Sequence, residues 1–422
     1  MDAVDHDFQS VSRAGQPVLL DVTRLVALRW TGRQANGIDR VCLAYLHYFR
    51  RSARAVVQHR GVIRVLDLAA SRRLFDLLAD DRRAGSKGRL LAHLAGALAR
   101  GRPARPGSLY LNVSHTDFDL PDHVRWIEHH GLRAIYLLHD LIPILHPEHC
   151  RPHAVARHTG RVQSALTHGA GVIVSSGAVS RDLRDYAERL RLPRPPIVVA
   201  PLAGAALRRD VRPPAGDSDY FLCVGTIESR KNHALLLQVW QRMRASMGAA
   251  APRLVIVGHW GTGVAALREA LAASDMVGGL IEIVGDCGDE ALARLMLGAR
   301  AVLMPSLAEG FGLPMTEALS LGVPVIASDL PCFHEVGQGI PCLLDPHDVA
   351  AWEARIVALD AAASRRLRRI DTMRGYCPPT WQEHFEQVEP WMATIAHAPS
   401  AAARAHTPSP GASDHIGLGI RN

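Results

Sequence analysis

Two glutamates, Glu309 and Glu317, stand eight residues apart and frame the run Gly310-Phe311-Gly312-Leu313-Pro314. Glycine lets a backbone approach a ligand closely, and proline suits the first turn of a helix. The free amides at such a helix start can hold a phosphate. Glu317 then falls on the first turn, within reach of a polar ligand group such as a ribose. The helix macrodipole also favours an acid near a helix start. That plainer account covers Glu317 alone, but not two glutamates around one glycine loop. In FLCVGTIESRKNH (221–233), Arg230 and Lys231 sit where a strand gives way to a helix. Two adjacent cations there can clamp a diphosphate. The chain has only two lysines, Lys87 and Lys231, so the second is a departure from its own habit of using arginine. His139 and Asp140 close the run IYLLHD (135–140). A histidine at a strand end can take part in catalysis, but buried and capping histidines are common, and Asp140 alone would serve as an N-cap. TGRQANGIDRVCLAYL (31–46) places Gly37 in a loop between a strand and a helix, the geometry of a phosphate or sugar cradle. It lacks GxGxxG spacing, as does the glycine-rich VIVGHWGTG (255–263).

These residues need a scaffold that brings strand ends together, and the chain reads as one. VLLDV (18–22), SLYLNV (108–113), AIYLLHD (134–140), GVIVSS (171–176) and IVVAP (197–201) are short apolar runs. The series begins again with YFLCVG (220–225), RLVIVG (253–258), IEIVG (281–285), AVLMP (301–305) and PVIAS (324–328). Continuous apolar strands alternating with helical stretches, for example around 38–50 and 151–168, predict parallel sheets built from βαβ units. The expectation is an α/β fold of two doubly wound domains, with ligands at the C-terminal strand ends. The boundaries read as an N-terminal extension at 1–16, a first domain at 17–207, a linker at 208–219 and a second domain at 220–378. A C-terminal helix at 379–398, kinked by Pro390, and a low-complexity, disordered tail at 399–422 follow.

Apolar residues make up 48% of the 422, enough for sizeable cores. The seven cysteines include no CxxC pair, so neither a disulfide framework nor a zinc site is expected, and a reducing cytoplasm fits. The N-terminus, MDAVDHDFQS, does not read as a secretory leader, and no apolar run reaches about 18 residues, so no membrane-spanning helix is expected. The formal charge of +7 is uneven: Arg50–Arg105 holds fourteen Arg or Lys against four Asp and no Glu. That stretch suits an anionic membrane surface or an ordinary solvated face. It contains no nucleic-acid-binding module, and no nucleic-acid partner is expected. Asp117-Phe118-Asp119 and Asp217-Ser218-Asp219 match a metal-binding Asp-x-Asp in letters only. They lie in a loop and in the linker, read as solvated turns, and no metal site is assigned.

Together the motifs resemble those of retaining glycosyltransferases of family 4, which have a GT-B fold of two Rossmann-like domains facing across a cleft. The resemblance covers almost all of residues 17–395. It rests on Glu309 and Glu317, on Arg230-Lys231 after VGTIES, on His139 in HDLIP, and on Gly37 in NGIDRV. It implies that Arg230 and Lys231 bind a donor diphosphate, that Glu309 contacts the donor sugar and Glu317 the ribose. His139 would contact the sugar and help set the reaction geometry, and the amides of Phe311, Gly312 and Leu313 would hold phosphate or sugar oxygens. Gly285-Asp286 fall at the family's base-binding loop. Thr226 departs from an arginine common in the family, which leaves more of the charge to Arg230-Lys231. HDLIP and GIDRV look most like bacterial mannosyl- or rhamnosyltransferases of surface-polysaccharide assembly. The implied reaction moves mannose from GDP-mannose, with retention, without cofactor or divalent cation, to a glycan or lipid-linked acceptor at the inner face of the cytoplasmic membrane. A UDP-sugar or dTDP-rhamnose transferase, a GT-B sugar epimerase and a catalytically silent nucleotide-sugar-binding protein are the alternatives.

Overall fold

The computed structural model describes residues 18–59, 61–80, 86–99, 101–205, 207–208, 210–211, 220–285, 287–360 and 375–398. The proposed N-terminal extension and tail, and most of the linker, lie outside them. The first domain holds seven strands: β1 (Leu19–Asp21), β2 (Arg54–His59), β3 (Val62–Val65), β4 (Leu109–Asn112), β5 (Arg133–Leu138), β6 (Gly171–Val174) and β7 (Ile197–Val199). Their order is β3-β2-β1-β4-β5-β6-β7, parallel except for β3 against β2. The second domain holds β8 (Tyr220–Val224), β9 (Arg253–Val257), β10 (Ile281–Val284), β11 (Val302–Met304), β12 (Val325–Ser328) and β13 (Cys342–Leu344). These are all parallel, in the order β10-β9-β8-β11-β12-β13. That is the Rossmann order, in which the switch point lies between β8 and β11. Each of the ten predicted strands is present; a run buried on both faces belongs inside a helix-covered sheet, while the edge strands β7 and β10 are only partly covered. The central strands β4, β6 and β12 are buried at every residue.

Three strands depart from the sequence reading. RAVVQH and VIRV form the β2–β3 hairpin inside the arginine-rich stretch, with arginines interrupting the apolar pattern. The three-residue β13 is too short to register as a period.

The helix Trp381–His397 runs through Pro390 and packs against the first domain. It starts on a capping box between Thr380 and Glu383. Phe385 stacks on Tyr48 with ring centroids 3.6 Å apart and meets Tyr45 edge-on at 5.0 Å. His384 Nδ1 lies 2.9 Å from the Pro201 carbonyl and its Nε2 lies 2.7 Å from Tyr45 Oη. The carbonyl only accepts, so the proton sits on Nδ1 and the tyrosine donates to Nε2. Burial keeps this imidazole neutral, with its pKa lowered to about 4. The Arg133 guanidinium donates to the carbonyls of Ile395 and Ala396 at the helix end.

This helix is therefore part of the first domain's core. Phe385→Ala should cost about 3–5 kcal/mol of unfolding free energy in urea titration. A loss below ~1 kcal/mol would show that the helix is an appendage.

Candidate functional site at the domain interface

β8 and β11 are neighbours, so the loops that leave their C-terminal ends must meet. Arg230 and Lys231 lie in the single 3₁₀ turn Ser229–Lys231, just ahead of the helix His233–Met247 rather than on it. Backbone contacts tie this turn to the β11 loop: Leu307 N donates to Arg230 O at 2.7 Å, and the Arg230 guanidinium to Ala308 O at 3.2 Å. Glu309 closes the arrangement. Its side chain is 8% exposed. It accepts from Lys231 Nζ, from Arg230 Nη1 at 3.0 Å and from Ser306 Oγ at 2.9 Å. Burial by itself would raise its pKa. The charges of Lys231 and Arg230, with the hydrogen bonds from Lys231 and Ser306, outweigh burial and hold it at about 2. Arg230 also pairs with Glu228 at 2.7 Å.

The loop then enters the helix Leu313–Ser320, whose first amides have no partner within the helix. Gly312 caps it at φ 98°, and a Cβ there would stand 2.6 Å from the Phe333 ring. Phe311 is buried in the core, so the part of it left to a ligand is its backbone. Glu317 lies on the second turn rather than the predicted first, because the helix already begins at Leu313, one residue ahead of Pro314. It is 5% exposed and is held from the other domain, by Arg40 Nη1 at 3.3 Å and by the Ala205 amide at 3.0 Å. Burial raises its pKa, and Arg40 and the Ala205 amide oppose the rise.

The first domain supplies the opposite wall. Gly37 is the first residue of the helix Gly37–Phe49 and lies against Leu313. An Asn36–Asp39 capping box fixes that start, and the buried Asp39 carboxylate is gripped by Arg24 at 2.7 Å and by Arg33. His139 follows β5 and is 8% exposed. Its Nε2 is 3.0 Å from the Val113 carbonyl, which places the proton on Nε2 and leaves Nδ1 an acceptor. Burial lowers its pKa to about 4, so the ring is neutral at pH 7. Asp140 Oδ1 accepts from Ile142 N at 3.0 Å, just ahead of the next short helix, whose N-cap position is Leu141. The domains touch at Gly310, where a Cβ would lie 2.3 Å from His139 O, and Ser176 Oγ donates to Gly310 O at 2.8 Å.

Residues 218–361 match the family profile described as "Glycosyl transferases group 1". The second domain is a group 1 glycosyltransferase domain. The chain is 37% identical over 156 residues to O-antigen chain mannosyltransferase B of Escherichia coli, covering 37% of this chain and 40% of that protein. It is 29% identical over 278 residues to the serotype-specific mannosyltransferase WbdA of E. coli, covering 61% of this chain and 33% of that one. The matches thus span less than half of either relative. The Anabaena protein Alr3699/HepE, solved in complex with UDP-glucose, superimposes with a TM-score of 0.63 at 15% identity, over 90% of this chain and all of that one. The two-domain fold is GT-B.

Within this glycosyltransferase domain, Gly285 follows the edge strand β10 and lies beside His259. Asp286 lies outside the described residues, as does the Asp217–Asp219 motif. Asp117 and Asp119 lie in a turn, as read, but Asp119 is nearly buried and neither is left to solvent alone. Arg157 holds both, at 3.0 and 3.2 Å, and Arg161 reaches Asp119 at 3.3 Å, so their charge is already spent. Arg40, which bonds both Glu317 and Asp289, was not singled out from the sequence. Its signal was present in GIDRV, as a cation on the first turn of a helix that opens on a glycine.

Glu309 has a folded pKa below its unfolded value. Its stabilising contribution is therefore complete above about 4.5 and declines as pH falls toward 2. The stability difference between wild type and Glu309→Gln should accordingly shrink between pH 5 and pH 3 in denaturant titrations. A difference that is constant or grows would contradict the ion-pair account.

Proposed function

We propose that the protein is a retaining mannosyltransferase that moves mannose from GDP-mannose to a glycan or lipid-linked oligosaccharide in polysaccharide assembly, without a divalent cation. The observation that carries this reading is that the Glu309–Arg230–Lys231 cluster and His139 come together at the domain interface, where Gly310 abuts the His139 backbone. A leaving diphosphate needs fixed positive charge, which Arg230, Lys231 and the amides of Phe311, Gly312 and Leu313 can supply. The ionised Glu309 suits the positive charge that develops on a sugar as its glycosidic bond breaks. His139, neutral and protonated on Nε2, offers Nδ1 to a sugar hydroxyl. Glu317, once released by Arg40, is placed for a ribose. Mannose is favoured by the names of the O-antigen relatives, and retention by the family resemblance.

Calorimetry with a panel of nucleotide sugars, followed by NMR of the product anomer, tests this. GDP-mannose should bind and be turned over, and the product should be the α anomer. Lys231→Ala and Arg230→Ala should each weaken its binding by about 1.5–3 kcal/mol, the loss of a charge-assisted contact. Preference for a UDP-sugar or dTDP-rhamnose would overturn the donor but keep the transferase. Binding without turnover of any donor would favour a silent sugar-binding protein.

The acceptor side is proposed to work against an anionic membrane surface. Among the described residues no helix is long and apolar enough to cross a membrane. Arg51, Arg64, Arg72, Arg73, Arg89 and Arg105 are exposed on the first domain. Each basic residue near such a surface contributes roughly 1 kcal/mol. Vesicle binding should rise with anionic lipid and fall with salt; equal partitioning onto neutral vesicles would refute the location.

A further inference from the structure

The segment 113–119, between β4 and the helix Pro121–His129, holds two non-glycine residues in the left-handed region: His115 at φ 61° and Asp117 at φ 48°. Such conformations cost energy and persist where surroundings over-determine them. The surroundings here are polar and buried. Asn112 Nδ2 donates to Thr116 O at 2.9 Å, and Asn112 Oδ1 accepts from the amide and the hydroxyl of Ser114, each at 3.1 Å. Asn112 also bonds Tyr110 Oη at 3.1 Å, and that hydroxyl donates to the buried Asp21 carboxylate at 2.9 Å. The segment is thus bolted to the sheet at its strand ends.

It presents two groups to His139. The Val113 carbonyl accepts a hydrogen bond from His139 Nε2, and His115 Nε2 accepts from the His139 backbone amide at 3.3 Å, with the rings 4.9 Å apart. His115 must then carry its own proton on Nδ1. On the other side of His139 there is no slack, since its carbonyl abuts Gly310, next to Glu309.

We infer that His115 is a positioning residue: held in a strained turn, it fixes the backbone of His139, and with it the imidazole, against the donor-sugar position. The inference rests on the proposed role of His139.

Two variants isolate the contact. His115→Gly removes the acceptor while easing the positive φ, and unchanged circular dichroism and GDP affinity check that the fold survives loss of the buried ring. His115→Gln keeps an acceptor at the reach of Nε2. His115→Gly should lower kcat for donor turnover on the order of tenfold to a hundredfold, the loss that a displacement of about 1 Å brings. Its affinity for GDP should stay at the wild-type value, because the nucleotide motifs lie in the other domain. His115→Gln should recover most of kcat. Wild-type kcat in His115→Gly, no recovery in His115→Gln, or loss of GDP binding in both would overturn the inference. If wild type turns over no nucleotide sugar, the proposed function fails on its own, and imidazole ¹⁵N shifts still decide the point. His139 should be a single Nε2–H tautomer in wild type and a mixture in His115→Gly; one unchanged tautomer in both overturns the inference.

Discussion

A buried carboxylate that is to stay ionised needs compensating charge and hydrogen bonds around it, and in this molecule that constraint falls on Glu309, which Lys231 and Arg230 satisfy. Removing one partner of such a buried pair is costly, because it strands the other charge. The Ser229–Lys231 turn and the β11 loop are therefore joined by their charges as well as by the Leu307–Arg230 backbone bond. The sheet order makes the meeting possible, since β8 and β11 are adjacent at the switch point. Chemistry and topology select the same place.

The second domain cannot complete the site alone. Gly310 meets the His139 backbone, Ser176 bonds the Gly310 carbonyl, and Arg40 reaches across to Glu317 and Asp289. Each contact joins a loop at the C-terminal end of one sheet to a loop or helix start at the corresponding end of the other. Glu335 adds a second seam, bonding the Gly177 amide at 2.7 Å and Arg181 at 2.8 Å. The requirement for a residue without a side chain at 310 is thus an interdomain requirement as well as a local one.

Much of this was legible in the residues. The buried strands announced themselves because a run apolar on both faces has few other destinations, and Glu309, Lys231 and His139 stood out by type and place. What escaped had a physical cause in each case. The β2–β3 hairpin hid its alternation among arginines. Glu317 was placed a turn early, because Pro314 marks the first turn without saying which residue caps it; Gly312 does so by its φ. Arg40, Ser176 and His115 matter through residues 24 to 277 positions away, and no local period encodes such partners. Asp117 and Asp119 read as solvated because their cations, Arg157 and Arg161, come from a helix some forty residues on.

The same ion cluster sets the terms on which a donor could bind. Arg230 and Lys231 already face Glu309, so a diphosphate exchanges one anionic partner for another instead of meeting free cations. The gain in binding is smaller than two unpaired cations would give, and Glu309 is left with part of its burial uncompensated while the ground-state sugar is neutral. On the proposed reaction, the positive charge that grows on the sugar repairs that deficit as the glycosidic bond breaks. An interaction that strengthens only along the reaction coordinate is the kind that raises kcat. A self-paired cluster that looks idle in the free protein is, on this argument, a device for withholding part of Glu309's electrostatic interaction until the transition state.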